Sequence, residues 1–271
     1  MFKHSHRSND RVEKNIKLKK SYRDPAKLSR LQKSFDQGPP VASSLTSPIV
    51  TFTVGREGRL FAAHEDVLSL SPYFATAMRG QFLEAQSKKI SLPDEEPEIF
   101  SCVLEYLYKG DYYPRLIHNK RRNSWELEDA DHSLNPENPG GRGSVEATSY
   151  ISSVGEQLLK DTVIYCAAEK YGLEELKRVA LQKQGLQSGI EVATILRSAR
   201  YAYDNTPDTD SRLRAHYLAL IIRCRKTFKR SGTMQTEMES GGKLFFDLFV
   251  ALCNHVDDIV EIGTSKSPRT I

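Results

Sequence analysis

The chain has 271 residues, of which 39% are hydrophobic and 27% are charged, and its formal net charge is +4. A hydrophobic fraction this low predicts that part of the chain stays outside any packed core. The first residues lack the apolar run of a signal peptide, and no stretch approaches 18 apolar residues, so neither a secreted nor a membrane-spanning protein is expected. The cysteines form no C-x-x-C pair and match no zinc spacing, which favours an intracellular, reducing location in the nucleus or cytoplasm. They are Cys102, Cys166, Cys224 and Cys253.

The charge is concentrated at the N-terminus. Residues 1–33 hold eleven Lys or Arg against three acids. Residues 1–47 are polar, then rich in Pro and Ser, and cannot bury enough apolar surface to offset the entropy of ordering them. We therefore expect a disordered, basic N-terminal tail. A contact of this tail with nucleic acid stays open as an alternative, because basic stretches such as KNIKLKK at 14–20 favour anionic partners.

Alternating apolar residues predict that order begins near Ile49. The stretch IVTFTV, a turn at GREG and RLFAA together indicate a β-hairpin with one apolar face. A helix is predicted from Ser71-Pro72, a short strand at 88–92, and a second helix from Pro97 to Gly110. Tyr112 and Tyr113 favour a further short edge strand. The apolar stripe of the second helix is Phe100, Val103, Leu104 and Leu107.

Residues 114–155 lack a periodic pattern and contain NPENPGGRGS. We expect a disordered insertion extruded from the surface, since loop-closure entropy grows slowly with loop length. Helical periodicity returns at Glu156, with a first helix ending at Gly172 and a second starting at once. Further helices are predicted after the capping-box pair Ser188 and Glu191 and around 213–228, followed by a loop at 231–242. The last predicted apolar stripe is Phe245, Leu248, Phe249, Leu252 and Val256.

The group His64-Glu65-Asp66 is the strongest candidate for chemistry. Catalysis needs a nucleophile or second base beside it, and no nucleophile elbow or H-E-x-x-H motif is present. The two acids suit the N-terminus of a helix, so we interpret His64 as a structural residue. The glycine pairs in GREG and GGRG lack the spacing of a phosphate-binding loop. No catalytic residue, cofactor or metal ion is therefore predicted.

The order of these motifs closely resembles a BTB/POZ domain, in particular the fungal type with a long insertion before the last helix pair. The resemblance covers about 48–113 and 156–184. It implies an α+β fold with a small β-sheet flanked by α-helical hairpins. Outside the resemblance, apolar periodicity predicts a helical C-terminal extension at 185–262, and 263–271 is expected to be a disordered tail. It also implies that His64 is structural and that Leu68, Tyr73 and Phe74 belong to the core. The matching motifs are Phe61…His64, Ser71-Pro72-Tyr73-Phe74, Gly80-x-Phe82-x-Glu84, Ile90-x-Leu92, Pro97…Phe100, Leu104-x-Tyr106-Leu107-Tyr108 and Ala167-Ala168-Glu169-Lys170-Tyr171.

The resemblance implies a non-enzymatic protein–protein interaction module. Many members recruit partners to cullin-type ubiquitin ligases through a hydrophobic residue, any residue and Glu after the small helix. Phe82 and Glu84 match this spacing and are the predicted protein-binding residues, with a cullin scaffold as a candidate partner. The opposing interpretation is that Phe82 packs on its own helix and Glu84 is merely solvated.

Departures from the family pattern bear on self-association. Pro48 and Glu65 stand where many members have Asp and Lys, and 37–48 is a poor candidate for the apolar helix that often mediates pairing. Self-association remains open, but a tight swapped dimer is not expected. The alternative function is a transcriptional or chromatin regulator that uses the basic tail and the cluster at 223–230. We regard nucleic acid as the less favoured partner, because such clusters commonly stabilise helix C-termini.

Overall fold

The computed structural model describes residues 47–79, 87–121, 123–128, 147–187 and 189–265, with side chains to residue 260. Within these ranges the chain forms seven strands and ten helices. The predicted N-terminal tail lies outside the described residues up to residue 46. The predicted C-terminal tail lies outside them from residue 266, whereas 263–265 belong to the last helix.

A three-stranded sheet forms the start of the ordered chain. Strand β1 (Ile49–Val54) pairs antiparallel with β2 (Arg59–His64) and parallel with β3 (Lys89–Leu92), in the order β2-β1-β3. Alternate residues of β1 point into the core, and Val50, Phe52 and Val54 are fully buried. The predicted hairpin and the strand at 88–92 are therefore present.

Two short helices and one long helix cover the inner face of the sheet. They are α1 (Glu65–Leu68), α2 (Pro72–Arg79) and α3 (Pro97–Lys109). Proline occupies the first turn of α3 and Gly110 ends it in the left-handed conformation, as the sequence predicts. The predicted stripe of α3 is buried along its whole length. The predicted edge strand at Tyr112 and Tyr113 is wrong, since neither residue lies in a strand and Tyr112 is fully buried.

The region predicted as a disordered insertion contains strands. Strand β4 (Leu116–Asn119) pairs with β5 (Ser124–Leu127), and β6 (Thr148–Ile151) pairs with β7 (Glu156–Leu159). The prediction of a structureless segment at 114–155 is therefore wrong for the residues of β4, β5 and β6. The prediction of a helix from Glu156 is also wrong, because strand β7 begins there and the helix starts after it. The reason is that Ile151, Leu158 and Leu159 are buried beneath later helices, a context that the local pattern does not reveal. Residues 129–146 lie outside the described part of the chain.

Helix α4 (Lys160–Tyr171) lies inside the described part of the chain, and α5 (Glu174–Leu186) packs beside it. Its own residues are buried on nearly every side, including Ile164, Tyr165 and Ala168, as expected for a helix enclosed by other elements. Phe74 of α2 stacks on Tyr171 with ring centroids 4.8 Å apart. This contact joins the part of the chain before the insertion to the part after it.

Five further helices form the C-terminal extension. The predicted loop at 231–242 is wrong, because helix α9 (Gly232–Glu239) lies there and is held by an ion pair from Arg200 to Glu237 at 2.7 Å. The predicted stripe 213–228 is interrupted at Cys224. The capping box is also wrong, since Glu191 is itself the N-cap, without a side-chain bond, and Ser188 lies outside the described residues. The other four helices are α6 (Val192–Asn205), α7 (Arg212–Arg223), α8 (Arg225–Phe228) and α10 (Lys243–Ser265).

The predicted apolar stripe of α10 is only partly correct. Leu248 is buried and Phe245 and Leu252 are partly buried, but Phe249 and Val256 are 64% and 55% exposed. Helix α10 therefore has one apolar side packed against α6 and α7 and further apolar residues left in contact with solvent.

Candidate protein-interaction surfaces

His64 is held in a structural corner at the end of β2. Its backbone N–H donates to the hydroxyl of Tyr108 at 2.9 Å, and its Nδ1 lies 2.7 Å from the same oxygen. The neighbouring Glu65 forms an ion pair with Lys88 at 2.8 Å. His64 is therefore bonded to α3, and Glu65 is bonded to the residue directly before β3. Within the described ranges, no group of three or more His, Cys, Asp or Glu residues is arranged to hold a metal ion.

A buried polar cluster fixes α3 to α4 and α5. The ammonium of Lys183 is fully buried, lies 2.5 Å from an Asp111 carboxylate oxygen and 3.4 Å from the centroid of the Tyr112 ring. The Tyr112 hydroxyl donates to Asp161 at 2.7 Å. Asp111 also accepts the N–H groups of Tyr112 and Leu116, which fixes the chain where it leaves α3. We call Asp111, Tyr112, Asp161 and Lys183 the latch.

Burial sets the protonation properties of the latch. It lowers the pKa of Lys183 and raises the pKa of Asp161, because both charged forms lose hydration. It also raises the pKa of Tyr112, and the nearby Asp161 adds to this effect. Its polar groups bond to one another, since Lys183 pairs with Asp111 and Tyr112 donates to Asp161. We therefore interpret it as a packing device and not as a reactive centre.

A second polar cluster fixes the C-terminal extension to α4 and α5. Lys177 bonds to Asp210 at 2.7 Å, and the hydroxyl of Tyr165 donates to the same carboxylate at 2.8 Å. Although burial lowers the pKa of Lys177, the hydrogen bonds that it donates to Asp210 and the neighbouring glutamates raise that pKa overall, so the lysine stays charged. Deeper inside, the hydroxyls of Thr162 and Tyr217 lie 2.6 Å apart. The extension is thus tied to the domain by buried contacts as well as by chain connectivity.

One surface groove lies between the β1–β2 turn, the acidic loop 93–98 and the β6–β7 hairpin, with a volume of about 500 Å³. Two of the five acidic residues that line it bond to other parts of the molecule. Glu96 accepts the backbone N–H of Ser152 at 2.6 Å, and Glu95 pairs with Lys170 at 2.5 Å. The groove is therefore a junction that holds the hairpin, and we assign it no ligand.

Comparison with known families decides the class of the domain. The family model for the BTB/POZ domain matches residues 49–121, which span β1 to the β4 strand and the two residues after it. The chain contains a BTB/POZ domain. A search of curated proteins returns no match to the chain. The BTB/POZ assignment agrees with the α+β fold described above, in which a small sheet is flanked by helices and followed by a helical extension. BTB/POZ domains are protein–protein interaction modules, so the partners of this chain include proteins.

The expectations that came from the family resemblance meet different outcomes. Leu68 and Phe74 are fully buried, as the BTB/POZ pattern implies. The expectation for Tyr73 is wrong in part: its ring contacts Phe74 and Tyr171, but 40% of the residue is exposed. Phe82 and Glu84 lie outside the described residues, in the segment between Arg79 at the end of α2 and Ser87. Their role as binding residues therefore remains a prediction.

The basic cluster at 223–230 is on the surface. All five of its cations are exposed, and in the described part of the chain none of them forms an ion pair. The guanidinium of Arg225 donates to the carbonyl of Ile222 at 3.3 Å, so this residue satisfies the end of α7 as the sequence predicts. The cluster consists of Arg223, Arg225, Lys226, Lys229 and Arg230.

No described helix is both long and apolar enough to cross a bilayer.

Sequence reasoning missed the latch and the second polar cluster. A lysine in the stretch LQKQGL has the pattern of a solvated helix residue, and no local feature marks Lys183 as buried. The one available signal was Tyr112, an aromatic residue directly after the helix end at Gly110 that needed a hydrogen-bond partner if buried. The sequence offered no sign of which partner that would be.

Proposed function

We propose that this protein is an adaptor that brings other proteins to a cullin-type ubiquitin ligase through its BTB/POZ domain. The observation that supports the proposal is the motif Phe82-Leu83-Glu84, which follows α2 within a chain that contains the BTB/POZ domain. Cullin-binding members of the family share this hydrophobic-x-Glu spacing. The C-terminal helices then supply a second surface on which a substrate protein is held.

The chemistry of the motif suits a protein contact. An aromatic side chain supplies much of the energy of an interface when it enters an apolar pocket, and the carboxylate two residues later fixes its orientation through a basic partner group. Leu70 and Tyr73, just before and within α2, are 59% and 40% exposed. These residues give the same stretch of chain further apolar surface for a partner to cover.

Two substitutions test the cullin contact directly. Phe82→Ala and Glu84→Lys are each expected to weaken binding of a purified cullin N-terminal domain at least tenfold, measured by calorimetry, because loss of a central anchor costs about 2 kcal/mol. The matched controls are Leu60→Ala and Glu57→Lys, since both residues are exposed on the β1–β2 hairpin. Controls and wild type should bind alike. Undiminished binding by the two motif variants would remove the adaptor proposal at this site.

The exposed basic cluster supports a second candidate, a regulator that contacts nucleic acid. Five cations within eight residues form a small positive patch, and the N-terminal tail adds more positive charge in sequence. If these charges neutralise phosphates, affinity for duplex DNA should fall steeply between 50 and about 200 mM salt, as counterion release requires. A fluorescence titration that finds no binding at low salt, or binding insensitive to salt, would eliminate this candidate.

A further inference from the structure

The outer side of α10 carries an apolar seam that the described part of the chain leaves uncovered. Phe246 and Phe249 are 68% and 64% exposed, and Val256 and Val260 are 55% and 57% exposed. Cys253, between these pairs, is also exposed. Exposed apolar residues are common singly, but a contiguous row of large ones on a single helix marks an interaction surface.

The spacing of these residues is that of a coiled-coil seam. Phe246, Phe249, Cys253, Val256 and Val260 follow one another at intervals of three, four, three and four residues. This is the a/d repeat that lines one stripe of a helix. At 1.5 Å rise per residue the seam is about 21 Å long. It lies on a different side of α10 from Leu244 and Leu248, which pack against the body of the protein.

We infer that α10 pairs antiparallel with α10 of a second copy of this chain. The sizes of the side chains favour that partner, because the two large residues lie at one end of the seam and the small ones at the other. Antiparallel pairing about Cys253 sets Phe246 level with Val260 of the second copy and Phe249 within one residue of its Val256, which keeps the spacing between the helices even. Parallel pairing would set phenylalanine against phenylalanine at one end and leave the other end poorly filled.

The charges on α10 favour the same arrangement. Asp257 and Asp258 are exposed near the C-terminal end of the seam. In a parallel pair the acids of the two copies would lie side by side. In an antiparallel pair about Cys253 the two Asp257 residues are offset by about 12 Å along the helix axis, beyond the Debye length of about 10 Å at 0.1 M salt. The dipoles of the two helices also oppose one another in this arrangement.

The anchoring of α10 explains how so short a seam can pair. Two heptads are too few to hold two free helices together, because each helix must first be ordered. Here the first half of α10 is already fixed to α6 and α7 by Leu244 and Leu248. Folding therefore meets the ordering cost of the first half, and association needs only to order the second half and bury the seam. This pairing does not depend on the cullin contact, and it involves no exchange of strands.

Sedimentation velocity on the full chain tests the pairing. We expect wild-type protein to move, as its concentration rises, from the 30.7 kDa chain mass toward twice that mass. Phe249→Asp should raise the dimer dissociation constant at least 30-fold, because it places a charge in the seam. The control Leu60→Asp makes the same kind of change on strand β2, where Leu60 is 69% exposed, and should leave the dimer intact. A chain that stays monomeric at all concentrations overturns the proposal, as does a dimer that Leu60→Asp disrupts and Phe249→Asp does not.

A cross-linking experiment tests whether the seam is the surface that pairs. Antiparallel pairing about Cys253 brings the two Cys253 thiols together near the two-fold axis. A short bis-maleimide should then join wild-type chains into a covalent dimer at concentrations where sedimentation detects pairing, and Cys253→Ser should abolish the product. A noncovalent dimer that gives no Cys253-dependent product would contradict pairing through the seam.

Discussion

Lys183, whose ammonium is buried, joins the part of the chain before the insertion to the part after it. It replaces its lost hydration with the carboxylate of Asp111, the carbonyl of Tyr112 and the face of the Tyr112 ring. A buried charge is tolerated only when it is paired and hydrogen-bonded in this way. The latch therefore specifies how α5 sits against the end of α3.

Removing one partner of the latch should be costly. Lys183→Met is expected to lower the free energy of unfolding by about 3 kcal/mol, because it leaves the partly buried Asp111 without its cation. Urea titration followed by circular dichroism measures the change. Lys109→Met is the control, since Lys109 pairs with Glu105 on the surface, where such pairs contribute at most about 1 kcal/mol. Equal effects of the two substitutions would refute the structural role of the latch.

The reactivity of each cysteine thiol depends on how deeply that cysteine is buried. Burial raises the pKa of Cys166 to about 12 and also raises the pKa of Cys102. At pH 8 the reactive thiolate of Cys166 is then present at roughly one part in ten thousand. Cys253 is exposed and should react first.

Thiol labelling checks this order. In native protein at pH 8, diluted until it is monomeric, a maleimide should modify Cys253 within minutes, while Cys102 and Cys166 become labelled only when denaturant is added; peptide mass spectrometry assigns each site. Rapid native labelling of Cys166 would show that α4 is not enclosed as described.

At the scale of elements, Gly172 couples the end of α4 to the start of α2. Its φ of +69° is in the left-handed region, and a Cβ there would lie 3.3 Å from the ring of Pro72. Both the backbone conformation and the close approach therefore favour glycine at this position.

Gly172→Ala should destabilise the protein by roughly 1–3 kcal/mol, through strain in the backbone and pressure on Pro72. Gly232→Ala is the matched control, because Gly232 begins α9 and a Cβ there would meet nothing within 4 Å. The control should be neutral or slightly stabilising by thermal melting. A harmless Gly172→Ala would mean that α2 and α4 do not meet at this residue.

The elements that the sequence predicts well are those whose pattern is local. The alternation of β1, the stripe of α3 and the glycine end of α4 follow from neighbours within a few residues. The β6–β7 hairpin was missed because its burial depends on α6, whose Ser198 hydroxyl accepts the N–H of Leu159 at 2.8 Å. Helix α9 was missed because no residue of it is buried, so its sequence shows no apolar stripe.

The candidate sites also differ in whether a local sequence pattern reveals them. The hydrophobic-x-Glu motif is readable in sequence because it is a short spacing, although its residues lie outside the described ranges. The seam of α10 was misread, since Phe249 and Val256 were expected to face the core with Leu248. A helix with two apolar sides offers the sequence no means of choosing which side is packed.

At the scale of the whole molecule, the extension and the BTB/POZ domain form one hydrophobic interior. Ala199, Ala202, Leu213, Tyr217 and Leu244 belong to the same buried cluster as Phe52 and Phe100. The surface proposed for a second chain is therefore carried by the same packed unit as the three-stranded sheet.

Native-state hydrogen exchange in increasing denaturant tests this single interior most directly. The amides of Phe52 in β1, Val103 in α3, Ile164 in α4 and Tyr217 in α7 should share one opening free energy and lose protection together. The opposite result would be loss of protection in α6 to α10 at low denaturant while β1 to α5 stay protected. That outcome would show the extension to be a separate unit and contradict the account.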